Sequence, residues 1–458
     1  MVTTGTFGAM CSSGAVINVG HSDPPIKIQN AWINDVPLAH PGAAVDCFIG
    51  ATMMSETKQF EYGGGHVIED LIAGKAVNFR ATAYGTDCYP RTEVETSLTK
   101  DDLNQFILLN FRNGYQRYNC AVNGRDEMIR TYMGKLLPHY RNATYSGAGE
   151  IAPLLNDPDY ETIGLGTRIF LGGGQGYVIG EGTQHASSTG WGNLMVKGDA
   201  KKMNARFICG ASFTDYGTSI YIGLGIPIPL LNFGLAKKAA IRDEEILTDV
   251  VDYGIPRRGR PTLRKVTYKE LKSGKIKLNN RNVSVSSLSS INKAQEICEE
   301  LAKWISDGRF TLTLPVERLP TESVARPMKQ TKGRTTFVES ILHEAVTCHE
   351  EDSIKQVANK LVNKKVNHIV VVDQEGKLTG IVTSYDLTKA TAMDASSLSE
   401  IIVRRVYTAR ADEPIEVISK KLSQNNISAL PVVNSEQILL GIVTTEDISR
   451  IMGGNGSG

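Results

Sequence analysis

The sequence predicts a glycine-rich α/β domain over residues 1–325, followed by a smaller module made of two copies of one α/β unit. Three observations support this prediction. Short apolar runs alternate with glycine loops and helical patterns in the first part, a polar and basic stretch separates the two parts, and a gap-free repeat fills the second. A chain of 458 residues is also longer than one ordinary domain.

Composition excludes several classes of protein. The hydrophobic fraction of 41% is sufficient for packed cores, and a net charge of +1 gives no overall field that would attract nucleic acid or an anionic membrane. No apolar run reaches ~18 residues, and the first residues lack a basic segment followed by an apolar one. We therefore expect a cytoplasmic protein that binds neither nucleic acid nor membrane.

Local patterns predict the elements of the first part. The runs AVNFRATAY (76–84) and RFICGASF (206–213) are typical of strands. The stretch 101–123 predicts a helix, because two aspartates stand in its first turn, and 291–308 predicts a second, amphipathic helix. The charged stretch 255–278 is interpreted as a surface connection, and the polar stretch 325–336 as the main domain boundary.

The end of the chain contains the strongest signal of organisation, an internal repeat. Gly380 aligns with Gly441 and Thr383 with Thr444, an offset of 61 residues in both cases. The copies, about 337–392 and 398–454, each predict the order strand, helix, strand, strand, helix. One such unit cannot close a core alone, so we expect the two to pack as a pseudo-twofold pair.

The two copies contain GIVTSYD and GIVTTED, and they resemble CBS domains over their whole length. The resemblance implies a pair that binds an adenosyl ligand in the clefts between the copies, and we expect S-adenosylmethionine or methylthioadenosine as that ligand. Threonines would contact phosphate or ribose, aspartates the ribose hydroxyls, and apolar residues the adenine. The residues concerned are Thr383, Asp386, Thr444, Asp447, Ile369 and Leu430. Helix capping is the alternative explanation of the Thr–Asp pairs, because both stand at a helix start.

The chain has seven cysteines, an odd number, and none of them has C-x-x-C spacing. Both facts argue against a disulfide framework and a zinc ribbon, so we expect no metal site, although a site assembled from distant cysteines is an alternative. Five cysteines stand in apolar or helical settings and are interpreted as structural: Cys47, Cys120, Cys209, Cys298 and Cys348.

The other two cysteines stand in loops. GTFGAMCSSG (5–14) surrounds Cys11 with glycines and serines, whose backbone N–H groups can stabilise a thiolate or a developing oxyanion. Cys88 follows a predicted strand in YGTDCYPR (84–91), at a strand end where the sites of α/β folds tend to lie. Two loop thiols indicate a nucleophile with a resolving partner, or a persulfide carrier.

Several long strings carry a second resemblance: TTGTFGAMCSSGAVINVGHSDPPIKI, GATMMSET, FEYGGGHVIEDLIAGK, ATAYGTDCYPR and GLGTRIFLGGGQGYVIGEGTQH. Over essentially the whole chain, they resemble the archaeal homocysteine-biosynthesis family, the L-aspartate semialdehyde sulfurtransferases of methanogens. The resemblance implies that Cys11 and Cys88 are the two functional cysteines. It also implies additional sequence before the cysteine motif.

The reaction implied by this resemblance joins aspartate semialdehyde, a sulfide-level sulfur and two electrons to give homocysteine. We assign Cys11 as the persulfide carrier and Cys88 as the resolving thiol, with the reverse assignment left open. Arg91 is the candidate clamp for the substrate carboxylate, and His66 and His185 are the acid–base candidates; a structural hydrogen bond is the alternative for each. No tightly bound cofactor is expected. A ferredoxin-like iron–sulfur protein is the implied electron or sulfur partner, and we expect a homodimer.

Two other functions stay open. Enzymes of the inosine-monophosphate-dehydrogenase type also combine a CBS pair with a loop cysteine. Their pair is inserted within a barrel, however, and no run of eight β/α units appears in this sequence. A non-enzymatic sensor of an adenosyl ligand is the other alternative, which leaves the two loop cysteines without an explanation.

Overall fold

The computed structural model describes residues 1–5, 7–39, 44–255, 260–322 and 336–453. The chain separates into two compact units, Met1–Pro327 and Met328–Gly458. The predicted boundary stretch 325–336 lies, except for its last residue, outside the described residues.

The first unit is mixed α and β, and most of its strands pair antiparallel. Its largest sheet has eight strands, in the following spatial order: β1 (Val2–Thr4), β21 (Leu224–Pro227), β16 (Arg168–Leu171), β17 (Gly174–Glu181), β18 (Leu194–Asp199), β10 (Gln105–Asn113), β2 (Ser13–Asn18) and β5 (Asp46–Gly50). The main core of the unit packs on this sheet and contains fully buried side chains such as Ile17, Leu108 and Val196.

Two further sheets complete the framework of this unit. Six strands form the order β23 (Thr262–Thr267), β22 (Leu247–Asp252), β11 (Cys120–Val122), β14 (Asn142–Tyr145), β25 (Arg281–Ser287) and β24 (Lys275–Leu278). Four strands form the order β4 (Val36–Leu38), β3 (Asn30–Ile33), β8 (Val77–Thr82) and β9 (Glu93–Leu98).

Short strand pairs and helices fill the remaining parts of the first unit. The pairs are β6 (Met54–Ser55) with β7 (Gln59–Gly63), β12 (Ile129–Thr131) with β13 (Gly134–Leu136), β15 (Gly164–Leu165) with β26 (Glu317–Arg318), and β19 (Ile208–Phe213) with β20 (Gly217–Ile222). The α-helices are α1 (Gly64–Ile72), α2 (Pro153–Asn156), α3 (Phe233–Ala239), α4 (Tyr268–Lys272) and α5 (Ile291–Ser306).

Three predictions about these elements are confirmed and two are wrong. Strands β8 and β19 lie where the sequence predicts two strands, and helix α5 lies where it predicts an amphipathic helix. The stretch 101–123 contains the strands β10 and β11 in place of the predicted helix, and in β10 the buried residues alternate with less buried ones, at 106, 108 and 110. The stretch 255–278 is not a plain connection, because it contains β23 and β24, the two edge strands of the six-stranded sheet, and helix α4, which packs against that sheet.

The second unit contains the two predicted copies. The first has β27 (Thr347–Cys348), α6 (Ile354–Lys364), β28 (His368–Val372), β29 (Leu378–Thr383) and α7 (Ser384–Ala392). The second has α8 (Ile415–Gln424), β30 (Ala429–Val433), β31 (Leu439–Thr444) and α9 (Thr445–Gly453). A single bridge between Ala409 and Val432 takes the place of the short first strand in the second copy.

The two copies pack about a pseudo-twofold axis, as predicted. The backbone N–H of Leu378 donates to the Gln437 carbonyl at 3.0 Å, and the equivalent N–H of Leu439 donates to the Gly376 carbonyl at 3.0 Å. Each copy has its own apolar core, and a third apolar cluster, which includes Val370 and Ile442, joins the two copies. Each copy therefore buries apolar side chains that the other copy alone would expose to solvent.

Candidate functional site

Cys11 lies in the turn that leads into β2. Ala9 forms a bridge with Tyr221 of β20, and the N–H of Met10 donates to the Ile220 carbonyl. The chain then turns away from β20 and enters β2 at Ser13. The hydroxyl of Ser219 donates to the Cys11 sulfur at 3.4 Å, and the thiol is partly exposed. Cys11 is thus held between two strands while its sulfur remains accessible.

The glycines around Cys11 allow close packing of strands. A Cβ at Gly14 would lie 2.3 Å from the Phe48 ring, and one at Gly8 would lie 2.9 Å from the Ser289 hydroxyl. Both distances are shorter than real contacts. The glycine pattern that points to Cys11 in the sequence therefore sets the position of the loop against its neighbours.

Tyrosines surround the Cys11 thiol. Burial raises the pKa of Tyr216 to about 12, and the charge of Cys11 and a side-chain hydrogen bond with it act in the same direction. Burial also raises the pKa of Tyr115, which Arg112 partly opposes. The rings of Tyr115 and Tyr118 lie 4.4 Å apart. At neutral pH these phenols stay protonated, so the site offers hydroxyl donors close to the sulfur.

Arg112, which the sequence patterns do not single out, belongs to this site. Its Nε donates to the Ser12 hydroxyl at 2.8 Å, and its guanidinium also donates to Gln184 Oε1 at 2.6 Å. The sequence predicts a helix over 101–123, and a helix would not pair with β2. The prediction therefore does not place Arg112 next to the Cys11 turn. Alternate burial, as at Phe106 and Leu108, is the pattern that would have predicted a strand here. The sequence does not reveal it, because all four residues of the run FILL are apolar.

Cys88 lies elsewhere in the unit, in the loop between β8 and β9, and it is exposed. Tyr89 makes a ring contact with His21 at 5.8 Å, so the loop lies against the segment that follows β2. Arg91 holds the same segment, because its guanidinium donates to the Asp23 carbonyl at 2.6 Å and to the Pro24 carbonyl at 3.2 Å.

The fold does not bring Cys11 and Cys88 together. Cys11 precedes the first residue of β2, Ser13, whereas the Cys88 loop contacts residues beyond its last residue, Asn18. A strand of six residues spans ~20 Å. The two thiols therefore lie at opposite ends of β2, and a disulfide between them within one chain requires movement of the Cys88 loop.

The remaining five cysteines are poor candidates for reactive thiols. Burial raises the pKa of Cys47, Cys120 and Cys298 to about 12 and that of Cys348 to about 11. Cys209 does not lie in a strand core as predicted. It is on β19 but exposed, and burial followed by the charge of Glu69 raises its pKa. All five favour the protonated thiol over the nucleophilic thiolate.

The GGGH string at residues 63–66 forms the start of helix α1. A Cβ at Gly64 would lie 1.9 Å from the Gly50 carbonyl oxygen, and one at Gly65 would lie 2.0 Å from the Ser219 carbonyl oxygen. The backbone N–H of Gly63 donates to His66 Nδ1 at 3.1 Å, while His66 Nε2 lies 3.4 Å from the Ser212 hydroxyl. His66 therefore caps the helix, and only its Nε2 could take part in proton transfer.

His66 predicts a pH dependence of stability. Burial lowers its pKa below 6.5, against the opposing charges of Glu69 and Asp70. As the pH falls through about 6.5, His66 binds a proton in the unfolded chain but not yet in the folded chain. Protonation therefore favours the unfolded chain, and the free energy of unfolding falls. His66→Gln keeps a normal capping side chain without the titration. We expect melting temperatures between pH 7.5 and 5.5 to fall less in His66→Gln than in the parent; equal falls would contradict this role.

His185 is not available as an acid or base, which corrects the prediction from the sequence. Its side chain is fully buried. The N–H of Asn193 donates to Nδ1 at 3.0 Å, and Nε2 lies 2.9 Å from the Pro320 carbonyl, which can only accept. Both ring nitrogens are thus occupied by backbone groups, so His185 links the 193 and 320 segments.

In the second unit, both Thr–Asp pairs cap helices. Thr383 Oγ1 donates to Asp386 Oδ2 at 2.6 Å, and the Thr383 N–H donates to the same oxygen at 2.9 Å. Thr444 and Asp447 repeat this arrangement at 2.7 and 2.9 Å. Within the described residues, the other carboxylate oxygen of each aspartate, Oδ1, has no hydrogen-bond partner. Capping thus leaves one acceptor on each carboxylate free.

Ile369 and Leu430, expected near the adenine, lie inside the cores of their copies. Both side chains have 0% exposed surface. They pack with the helices of their own copy. Adenine contact by these two side chains would therefore require the cores to open.

Metal sites and membrane spans are two further features that bear on function. Across the described ranges, no three His, Cys, Asp or Glu side chains meet in an arrangement that could hold a metal ion. Of the helices that the structure describes, none has both the length and the hydrophobicity needed to span a bilayer.

Comparison with known proteins agrees with both resemblances. Residues 1–312 match the family model "homocysteine biosynthesis enzyme, sulfur-incorporation", and 338–392 and 398–454 match the CBS domain. The L-aspartate semialdehyde sulfurtransferase of Methanosarcina acetivorans is 47% identical, and that of Methanocaldococcus jannaschii is 50% identical. Each alignment covers 99% of this chain and 91% of the relative.

Solved structures of CBS domain pairs match the second unit. One of them is a crystal structure of a CBS domain pair in complex with 5′-methylthioadenosine and S-adenosyl-L-methionine, 43% identical in sequence. The match covers 27% of this chain and 99% of that one, with a TM-score of 0.26.

Proposed function

The chain belongs to the sulfur-incorporation family of homocysteine biosynthesis enzymes, and from this premise we propose that it is a sulfurtransferase converting L-aspartate 4-semialdehyde to L-homocysteine. Similarity over nearly the whole chain to two relatives with that name supports the substrate. The observation that supports a thiol mechanism is the setting of Cys11, which is accessible and contacts Ser219 and Tyr216.

Cys11 carries the transferred sulfur in this proposal. The outer sulfur of a Cys11 persulfide bonds to the aldehyde carbon, and the Cys88 thiol then attacks the Cys11 sulfur. This leaves a hydroxyl and a thiol on the substrate carbon and forms a Cys11–Cys88 disulfide. Loss of water from that carbon gives a thioaldehyde, which two electrons from the external reductant and two protons convert to the thiol of homocysteine. Sulfide attack on that disulfide restores the persulfide and the free thiol. Overall, aldehyde, hydrogen sulfide, two electrons and two protons give the thiol and water.

Each protein group has a defined task in this sequence. The hydroxyl donors Ser219 and Tyr216 stabilise negative charge on the sulfur and on the carbonyl oxygen. His66 Nε2 is the remaining acid–base candidate of the two histidines. The Cys88 loop must move for its thiol to reach Cys11. The two electrons come from a ferredoxin-like iron–sulfur partner, and the working form is a homodimer.

A turnover assay tests the proposed reaction. The purified chain is supplied with aspartate semialdehyde, sulfide and a low-potential reductant, and homocysteine is measured after derivatisation. We expect a product that requires all three additions. Activity with inosine monophosphate and a nicotinamide cofactor would instead support the dehydrogenase. Adenosyl-ligand binding without any turnover would support the sensor.

For the second unit, we propose that the CBS pair binds S-adenosylmethionine or methylthioadenosine and regulates the enzyme as a feedback sensor. Homocysteine leads to methionine and then to these ligands. The free Oδ1 of Asp386 and of Asp447 supports the proposal, because a carboxylate can cap a helix with one oxygen and accept ribose hydroxyls with the other. The ligand can alter activity only if it binds two states of the enzyme unequally.

Calorimetry with S-adenosylmethionine, methylthioadenosine and AMP tests this proposal. We expect Asp386→Ala or Asp447→Ala to weaken adenosyl binding roughly 10-fold or more while unliganded turnover stays unchanged. Glu400→Ala is the matched control, because Glu400 forms a similar capping box with Ser397 outside the predicted site. Binding lost equally in the control would assign the effect to capping. Preference for AMP, or no binding of the three ligands, would contradict the sensor.

A further inference from the structure

Arg112 stands where strand β10 leaves its regular pairing. The register between β10 and β18 shifts between Asn110 and Asn113, which is the signature of a β-bulge. On its other side, β10 pairs with β2 as far as Ser13, and the Phe111 N–H donates to the Ser12 carbonyl. Bulges redirect side chains and are frequent next to active sites. This bulge directs Arg112 towards the residue after Cys11.

The guanidinium is held in place without a negative charge. Its described partners are the neutral side chains of Ser12 and Gln184. Among the described residues, no carboxylate forms an ion pair with Arg112, whereas arginines such as Arg264 and Arg404 do have such partners. The Arg112 side chain is partly exposed, so water solvates its charge in the free protein and the guanidinium stays open to an anion that can pair with it.

The substrate of the proposed function, on which this inference rests, supplies such an anion. Aspartate semialdehyde carries its carboxylate ~4 Å from its aldehyde carbon, three carbon–carbon bonds away. Adjacent residues of the chain are separated by a similar distance, ~3.8 Å between Cα atoms. Arg112 contacts Ser12, the neighbour of Cys11 in the chain. A substrate whose carboxylate binds Arg112 can therefore place its aldehyde carbon within reach of sulfur carried on Cys11.

We propose that Arg112, not Arg91, binds the substrate carboxylate, selects amino-acid aldehydes and positions the carbonyl at Cys11. A guanidinium matches a carboxylate with two parallel hydrogen bonds, which lysine cannot reproduce. Arg91 is already engaged with the carbonyls of Asp23 and Pro24, and it lies beyond the other end of β2. The competing role for Arg112 is activation of the Cys11 thiol by its positive charge.

Substrate selectivity separates these two roles. The experiment compares aspartate semialdehyde with 3-aminopropanal, the same aldehyde without its carboxylate, in the parent and in Arg112→Gln. We expect Arg112→Gln to lower kcat/KM for aspartate semialdehyde about 100-fold, chiefly through KM, and to change that for 3-aminopropanal less than about 3-fold. Equal losses with both aldehydes would overturn the proposal in favour of thiol activation.

Two further measurements make the test independent of turnover. Transfer of one sulfur atom from added polysulfide to Cys11, in which an S–S bond of the polysulfide breaks, is followed by mass spectrometry and should be the same in Arg112→Gln and the parent; its loss would contradict the proposal. Calorimetry should show that the parent binds L-homoserine better than 3-amino-1-propanol and that Arg112→Gln does not distinguish them. A parent that binds homoserine but does not turn over aspartate semialdehyde would overturn the proposed function alone; a parent without this preference would overturn the role of Arg112.

Arg242→Gln is the matched control for these measurements. Arg242 is a surface arginine of the same unit, with a side chain 67% exposed, 3.6 Å from Glu150. We expect it to leave selectivity, persulfide formation and homoserine binding unchanged. Melting curves of both variants confirm that any difference arises in the folded protein.

Discussion

We expect replacement of Cys11 with alanine to abolish homocysteine formation. The thiol that would carry the sulfur lies in a turn contacted by Ser219 and Tyr216, and no other cysteine side chain in the described parts of the chain hydrogen-bonds to these two residues. Loss of a nucleophile that forms the covalent intermediate lowers kcat by roughly 1,000-fold or more. Cys88→Ala should have a comparable effect on steady turnover, because the resolving step is lost.

Controls and the order of the steps can be tested with the same assay. Cys298→Ala and Cys209→Ala should retain activity; Cys209 is the more demanding control because its side chain is exposed. In Cys88→Ala, added polysulfide should still place a persulfide on Cys11, because an S–S bond of the donor breaks, but its sulfur should not be released as product. Full turnover of either loop variant would disprove the assignment, and persulfide found on Cys88 alone would reverse the two roles.

Gly65→Ala should strongly destabilise the first unit. The new Cβ would lie 2.0 Å from the carbonyl oxygen of Ser219, a backbone atom that cannot move without displacing β20. We expect a loss of about 3 kcal/mol or more in the free energy of unfolding. Because Ser219 also donates to Cys11, the soluble fraction of the variant should lose activity too.

Helix propensity alone would predict the opposite change in the free energy of unfolding for Gly65→Ala. Alanine is normally favoured over glycine within a helix by roughly 1 kcal/mol. Gly234→Ala, in helix α3, is the matched control, because its Cβ would meet only the Asn232 side chain at 3.2 Å. It should be neutral or slightly stabilising in urea unfolding. A neutral Gly65→Ala would show that the tight contact between α1 and β20 is not required.

Features with short-range causes could be predicted from the sequence. The repeat fixes the order of elements in the second unit, and the Thr383–Asp386 cap joins residues only three positions apart. Helix α5 follows from the spacing of Ile297 and Leu301 on one face. The loop positions of Cys11 and Cys88 follow from the glycine, serine and proline around them. Each of these depends on interactions within about one helical turn or one strand.

The arrangement of the candidate site could not be predicted in the same way. The run FILL in 106–109 fits a buried strand or a helix equally well, and pairing with both β2 and β18 decides for the strand. The same sheet order places Arg112 beside Cys11 and leaves Arg91 and Cys88 at the far end of β2. The loop setting of His185 suggests an accessible group, but packing buries it between two backbone segments.

By itself, the sequence determined the family, the division into a glycine-rich unit and a repeated one, and the two thiols set apart from the other five. Only the tertiary structure decided which side chains those thiols meet. Ser219 is 208 residues from Cys11, and Arg112 is 100 residues from Ser12. Contacts over such separations arise from strand pairing and core packing throughout the sheet, and local sequence patterns do not encode them.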